Sequence, residues 1–182
     1  LFQWGPVTIH TYGVLLATGF VMGLWVAVRQ ARREGIDPDR IVDLAFYILL
    51  AALIGSRLLS VVVHWSWFAA RPLDILKVWE GGLVFYGGLL LAVPTGIWYV
   101  KRKGLHVWQV ADLLAPSIAL AHGIGRPGCF SAGCCYGIET DLPWGVVFSD
   151  PRALARLGVP LHPTQLYESA GDNNQKLLQG QR

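Results

Sequence analysis

The sequence predicts an all-α integral membrane protein, a polytopic helical bundle with at least four transmembrane helices. Hydrophobic residues make up 53% of the chain and charged residues only 15%. The mean hydropathy of +0.43 lies well off the balance of a soluble domain. The apolar residues also fall in long blocks. Crossing a hydrocarbon core about 30 Å thick takes about 20 residues at about 1.5 Å each, because every backbone amide has to be satisfied within the helix.

Four blocks meet that length. Residues 7–28 and 81–100 hold no Lys, Arg, Asp or Glu. Residues 41–63 carry only Asp43 and Arg57, and residues 107–124 carry Asp112 and, near their end, His122. A cleavable signal peptide is a poor account of the first block, since no basic residue precedes it and more spans follow. The absence of an initiator Met points to a trimmed N-terminus. Asp37-Pro38 reads as an N-cap followed by proline at the first helical position, which starts the second span. Residues 71–80 read as a short amphipathic helix on the outer face. Pro94 and Pro116 are expected to kink the third and fourth spans. The run Gly123-Ile124-Gly125-Arg126-Pro127-Gly128 is expected to end the fourth span in an open turn.

Positive residues of short loops are retained in the cytoplasm. Arg29, Arg32, Arg33 and Arg40 follow the first span, and Lys101, Arg102 and Lys103 follow the third. Both loops are therefore expected inside. Between spans two and three stand Trp65, Trp67, Phe68 and Trp79, which suit an interfacial aromatic belt. The N-terminus and the stretch 126–165 are then outside. The net charge of +3 reflects this topology, and no basic stripe with interleaved aromatics points to nucleic acid. The membrane domain is expected over 1–168. The polar tail 169–182 is expected to be disordered or non-native, although HPTQLYE before it looks like the start of another helix.

Ionisable residues in a membrane are costly and mark function by default. Arg57 stands about 16 residues into an inside-to-outside span, which places it near the outer leaflet. His10 and Tyr12 open the first span at that level, Tyr86-Gly87-Gly88 lies near the outer end of the third, and Arg126 ends the fourth. Two arginines at one depth suit a phosphate, since guanidinium stays charged and donates bidentate hydrogen bonds. The competing readings are snorkelling or a structural pair for Arg57 and Arg126, helix-end hydrogen bonding for His10, and close helix packing for the glycines.

Cys129, Cys134 and Cys135 are the only cysteines and all lie in the outward segment. Three in an oxidising compartment imply one disulfide plus a free thiol, an intermolecular link, or a functional thiol. Cys129 is expected within disulfide distance of Cys134 or Cys135. No metal site is expected, because C-x4-C-C lacks a second spaced pair and His162 is the only obvious fourth ligand.

Five segments carry a resemblance. WGPVTIHTYG at 4–13, GSR at 55–57, WEGGLVFYGG at 79–88, GRPGCFSAGCCYG at 125–137 and HPTQLYE at 162–168 stand in the order found in the prolipoprotein diacylglyceryl transferases of bacterial inner membranes, which this chain resembles. The resemblance implies transfer of a diacylglyceryl group from phosphatidylglycerol to the lipobox cysteine of a prolipoprotein, without a cofactor. It implies catalytic roles for Arg126, His10 and Tyr86, and lipid-phosphate binding by Arg57, Arg126, Tyr12, Gly87 and Gly88. Tyr86 stands where the family typically has His, and a tyrosine, with an ordinary pKa near 10, is the poorer base at neutral pH. Cys129, Ala132 and Cys134 replace the usual Asn, Asn and Glu. Cys134 is the first choice for a functional thiol, with Arg126 expected to favour its thiolate. The family's later spans have no counterpart, which implies a C-terminally truncated chain. The alternatives are a non-catalytic or thiol-redox membrane paralogue that keeps the lipid pocket, and a transporter or channel.

Overall fold

A computed structural model describes residues 2–4, 7–9, 11–77, 82–151 and 153–179, with side chains over 11–77, 82–151 and 153–171. In chain order it shows β1 (Phe2–Trp4), β2 (Val7–Ile9), α1 (Thr11–Arg33), α2 (Pro38–Val63), α3 (Trp65–Ala70), a 3-10 turn over Pro72–Leu76, α4 (Phe85–Arg102), α5 (Val107–Ala132), β3 (Val146–Val147), β4 (Pro160–Leu161) and α6 (Thr164–Gln179).

The chain is a polytopic α-helical membrane protein. Helices α1, α2 and α5 are long and apolar enough to cross a bilayer. Only 17% of the apolar window of α1 and 22% of those of α2 and α5 are buried in protein. Faces this apolar and this open suit lipid as their solvent. Helix α4 has 18 residues, about 27 Å, and is the shortest of the four expected spans.

The chain divides into two compact units, one of residues 1–27 with 113–182 and one of residues 28–112. In the second, Asp37 caps α2 by accepting from the backbone N–H of Asp39 at 3.0 Å, with Pro38 at the first helical position. Before it, Gly35 at φ 70° ends α1, and Ile36 N–H donates to the Ala31 carbonyl at 2.9 Å. Helices α2 and α4 pack through small residues. A Cβ on Gly55 would collide with the Gly87 carbonyl, and one on Gly88 would lie 3.0 Å from the Ala52 carbonyl. Ile41, Leu44, Tyr99, Val100 and Val110 form the core of this unit.

In the first unit, β1 and β2 form an antiparallel hairpin with Phe2 opposite Ile9. Residues 7–9, expected in the first span, are thus strand, and helix begins at Thr11. Gly19 and Gly23 of α1 meet α5, where added Cβ atoms would stand 2.7 Å from the Ala121 carbonyl and 2.9 Å from that of Ser117. This is the G-x-x-x-G spacing that lets two helices approach in a membrane. Beyond α5 the chain makes a small antiparallel ribbon, Val146 opposite Leu161, before α6.

Further sequence expectations are corrected. The amphipathic helix expected over 71–80 is a 3-10 turn over Pro72–Leu76, separate from α3 before it, because Pro72 cannot donate to a continuing α-helix; residues 78–80 lie outside the described residues. The glycine-rich run 123–128 is helical, and α5 continues to Ala132. Helix α6 runs to Gln179, into the tail expected to be disordered or non-native.

Candidate functional site

Helix α5 passes through Pro127, which has no N–H to give the carbonyl four residues back, that of Gly123. The Ser169 hydroxyl of α6 donates to that carbonyl at 2.7 Å. The missing backbone donor is thereby replaced by a side chain, and Arg126 is carried on a regular helix instead of in an open turn. Its Nη2 lies 2.6 Å from Oε2 of Glu168 on α6. The Arg126 side chain is 12% exposed, and its Nε is buried without a hydrogen-bond partner among the described residues. Tyr12 packs against Gly128, on the same helix as Arg126, its ring and carbonyl each 3.4 Å from where a Cβ on Gly128 would stand. The arrangement is a desolvated guanidinium, oriented by one carboxylate, with donor capacity still open to an anion.

Three residues past Arg126 the thiols begin. Cys129, Cys134 and Cys135 are all free, and their Sγ atoms lie within 4.8 Å of one another. No disulfide joins them. Gly133, at φ 64°, ends α5 and lets Cys134 N–H donate to the Cys129 carbonyl at 3.1 Å. Helix α6 holds the next two carbonyls: Gln165 Nε2 donates to that of Cys134 at 2.5 Å and Thr164 Oγ1 to that of Cys135 at 2.8 Å. Burial pushes the Cys134 thiol up to about 12, and Cys129 and Cys135 push it the same way. The expectation that Arg126 favours a Cys134 thiolate is therefore corrected. The cation is engaged by Glu168, and desolvation governs the thiol.

In the other unit, Arg57 is buried and donates only to main chain among the partners described: Nε to the Ile75 carbonyl at 2.9 Å, Nη1 to Gly82 at 3.5 Å, and Nη2 to Lys77 at 3.1 Å and to Asp74. Its guanidinium also lies 5.1 Å from the Phe68 ring centroid. Arg57 thus ties the 3-10 turn to α2, sharing the Asp74 carbonyl with the Lys77 backbone N–H, which donates to it at 3.1 Å. Gly87 and Gly88 are buried in the α2–α4 crossing. Tyr86 is 70% exposed on α4 and does not share the burial of Arg57. His10 and Trp79 lie outside the described residues. At the other end of these helices, Tyr99 donates its hydroxyl to Asp43 Oδ2 at 3.2 Å beside a cavity of about 130 Å³, also lined by Tyr47, Trp98, Arg102 and Lys103.

Sequence reasoning gave no role to Glu168, Gln165 or Ser169. The available signal was HPTQLYE itself, which carries two of the three.

Comparison with known proteins agrees with the motif order. A family model described as prolipoprotein diacylglyceryl transferase matches residues 1–175. A phosphatidylglycerol–prolipoprotein diacylglyceryl transferase of Synechococcus elongatus is 39% identical over 171 residues, covering 93% of this chain and 59% of that protein. The protein of the same name from Bacillus licheniformis is 43% identical over 129 residues, 71% of this chain and 48% of its own length. That of Bacillus velezensis is 36% identical over 172 residues, 92% of this chain and 64% of its own length. The chain therefore spans about half to two thirds of the length of these curated relatives.

Proposed function

The chain belongs to the prolipoprotein diacylglyceryl transferase family, and we propose that it moves a diacylglyceryl group from phosphatidylglycerol to the lipobox cysteine of a prolipoprotein, with Arg126 binding the lipid phosphate. In that reaction the acceptor sulfur forms a thioether bond to the glyceryl carbon while the bond from that carbon to a phosphate oxygen breaks. Glycerol phosphate departs with the electron pair. The phosphate begins with one negative charge and ends with between one and two at neutral pH. Transition-state stabilisation therefore calls for a fixed positive charge at the leaving oxygens.

The observation that carries the proposal is the Arg126 guanidinium, desolvated, aimed by Glu168, and with Nε still unpartnered among the described residues. A phosphate oxygen would complete its donors, and low local dielectric would make the contact stronger than in water. Tyr12, beside Gly128, would lie at the edge of the lipid phosphate. The thiol proton needs an acceptor, for which His10 is the candidate. The family motif offers Tyr86 as the second candidate.

We place the chain in the bacterial inner membrane as a multi-pass protein with its N-terminus outward and α4 as a fourth span. Support comes from the basic loops: Arg40, at the start of α2, donates from Nη1 to the Lys103 carbonyl at 3.2 Å, so both clusters of positive charge lie at one end of the unit 28–112. The direct test is incubation of the purified chain with labelled phosphatidylglycerol and a lipobox peptide. Thioether-linked diacylglyceryl peptide is the expected product, and its absence under conditions where a full-length relative forms it would overturn the proposal.

A further inference from the structure

We propose that Cys129, Cys134 and Cys135 form a binding site for one thiophilic d10 metal ion, zinc or copper(I), at the end of α5. The three Sγ atoms already lie within 4.8 Å of one another. Thiolates about 2.3 Å from a zinc ion stand about 3.8 Å apart in a tetrahedral arrangement, so closure needs about 1 Å or less per pair. Trigonal coordination of copper(I) by three thiolates calls for similar spacing, and thiolate softness selects these ions over magnesium or calcium.

The local backbone is shaped for this convergence. Cys135, at φ 56°, is the one non-glycine residue with positive φ among those described. That conformation costs a residue bearing a Cβ about 1 kcal/mol, a strain that clusters at functional sites. It is held in place by Thr164 on the Cys135 carbonyl and Gln165 on the Cys134 carbonyl. Gln165 is fully buried, and its Oε1 has no hydrogen-bond partner among the described residues. A buried acceptor left open beside a candidate site calls for a donor, and a water on the fourth metal position is one. Cys135 is exposed while Cys129 and Cys134 are half-buried, which provides a route for the ion.

A disulfide would use two of these sulfurs and strand the third, whereas a metal ion uses all three. Binding of Zn2+ by three thiols gives a zinc tris-thiolate of charge minus one and releases three protons. No oxidant is required. The bound ion would pin the segment after α5 to the helix turn that follows Arg126. The inference rests on the cysteines alone and stands or falls independently of diacylglyceryl transfer.

The test uses the chain in detergent micelles, reduced and stripped of metal. In separate arms it is titrated with Zn2+ and with Cu(I), each against a chromophoric competitor, and cobalt(II) is added to report thiolate coordination by its charge-transfer absorption. One equivalent of Zn2+ or of Cu(I) per chain is expected, and the arm that saturates identifies the ion. Cys135→Ser is expected to weaken binding by about 10-fold or more, and replacement of all three cysteines by Ser to abolish it. If the triple variant misfolds, the exposed single variant carries the decision, with helix content checked by circular dichroism. Failure of both arms, or equal uptake by folded wild type and folded Cys135→Ser, would overturn the site.

Discussion

Arg126 Nη2 and Glu168 Oε2 lie 2.6 Å apart, which joins the end of α5 to the first turns of α6 and sets the direction of a guanidinium that is otherwise short of partners. Glu168 is about half exposed, so the pair contributes little to stability, on the order of 0–1 kcal/mol. Its consequence lies in orientation. Glu168→Gln is expected to lower transfer about 10-fold while the melting temperature in detergent moves by only a few degrees. Full activity of a folded Glu168→Gln protein would show that Arg126 does not depend on its partner.

The Ser169 hydroxyl stands in for the N–H that Pro127 lacks. Ser169→Ala is expected to cost about 1 kcal/mol, because the Gly123 carbonyl is left without its donor. In a Pro127→Ala background the backbone N–H returns, and the same change is expected to cost much less. A double-mutant cycle on unfolding measures this, and additive losses would contradict the substitution of one donor for the other.

Arg57 holds the carbonyls of Asp74, Ile75 and Lys77. Arg57→Lys keeps the charge but supplies fewer donors in the wrong geometry, and is expected to destabilise the protein by about 2 kcal/mol or more. Phosphatidylglycerol affinity of the remaining folded fraction is expected to stay near wild type. A selective loss of lipid affinity at unchanged stability would return Arg57 to the phosphate site.

Cys134 is expected to be a sluggish nucleophile in the reduced, metal-free chain. Its folded pKa of about 12 lies above the ordinary thiol value near 8.5. The unfolded chain loses this proton first as pH rises, so the associated stability is complete below about 8.5 and is lost on the way to about 12. Alkylation followed by peptide mapping is expected to label Cys134 at pH 8.5 more slowly than an unstructured cysteine peptide. Faster labelling would point to a stabilised thiolate.

The membrane character, the starts of α2 and α5 and the Asp37 cap were legible in the sequence because each depends on composition or on neighbours a few residues away. What was not legible depends on distant partners. Pro127 within GIGRPG reads as a helix end, and only Ser169, 46 residues beyond Gly123, reverses that. Arg57 reads as a phosphate ligand until the carbonyls 17 to 20 residues later fold back onto it. Gly87 and Gly88 read equally as ligand contacts or packing surfaces, and the close approach of Gly55 and Ala52 becomes visible only in the folded chain. Spacing alone also understates the cysteines, since C-x4-C-C converges only when Gly133 and Cys135 both take positive φ. For Arg126, the motif indicated importance, and Glu168 supplies the geometry.

The most direct measurement is the rate of diacylglyceryl transfer from labelled phosphatidylglycerol to a lipobox peptide by Arg126→Lys beside the unaltered chain. Lysine keeps the positive charge and loses the forked donors, so a loss of about 10- to 100-fold is expected, matching a charge-assisted hydrogen bond of about 1.5–3 kcal/mol. Equal turnover by the two folded proteins would contradict the assignment of Arg126 to the lipid phosphate.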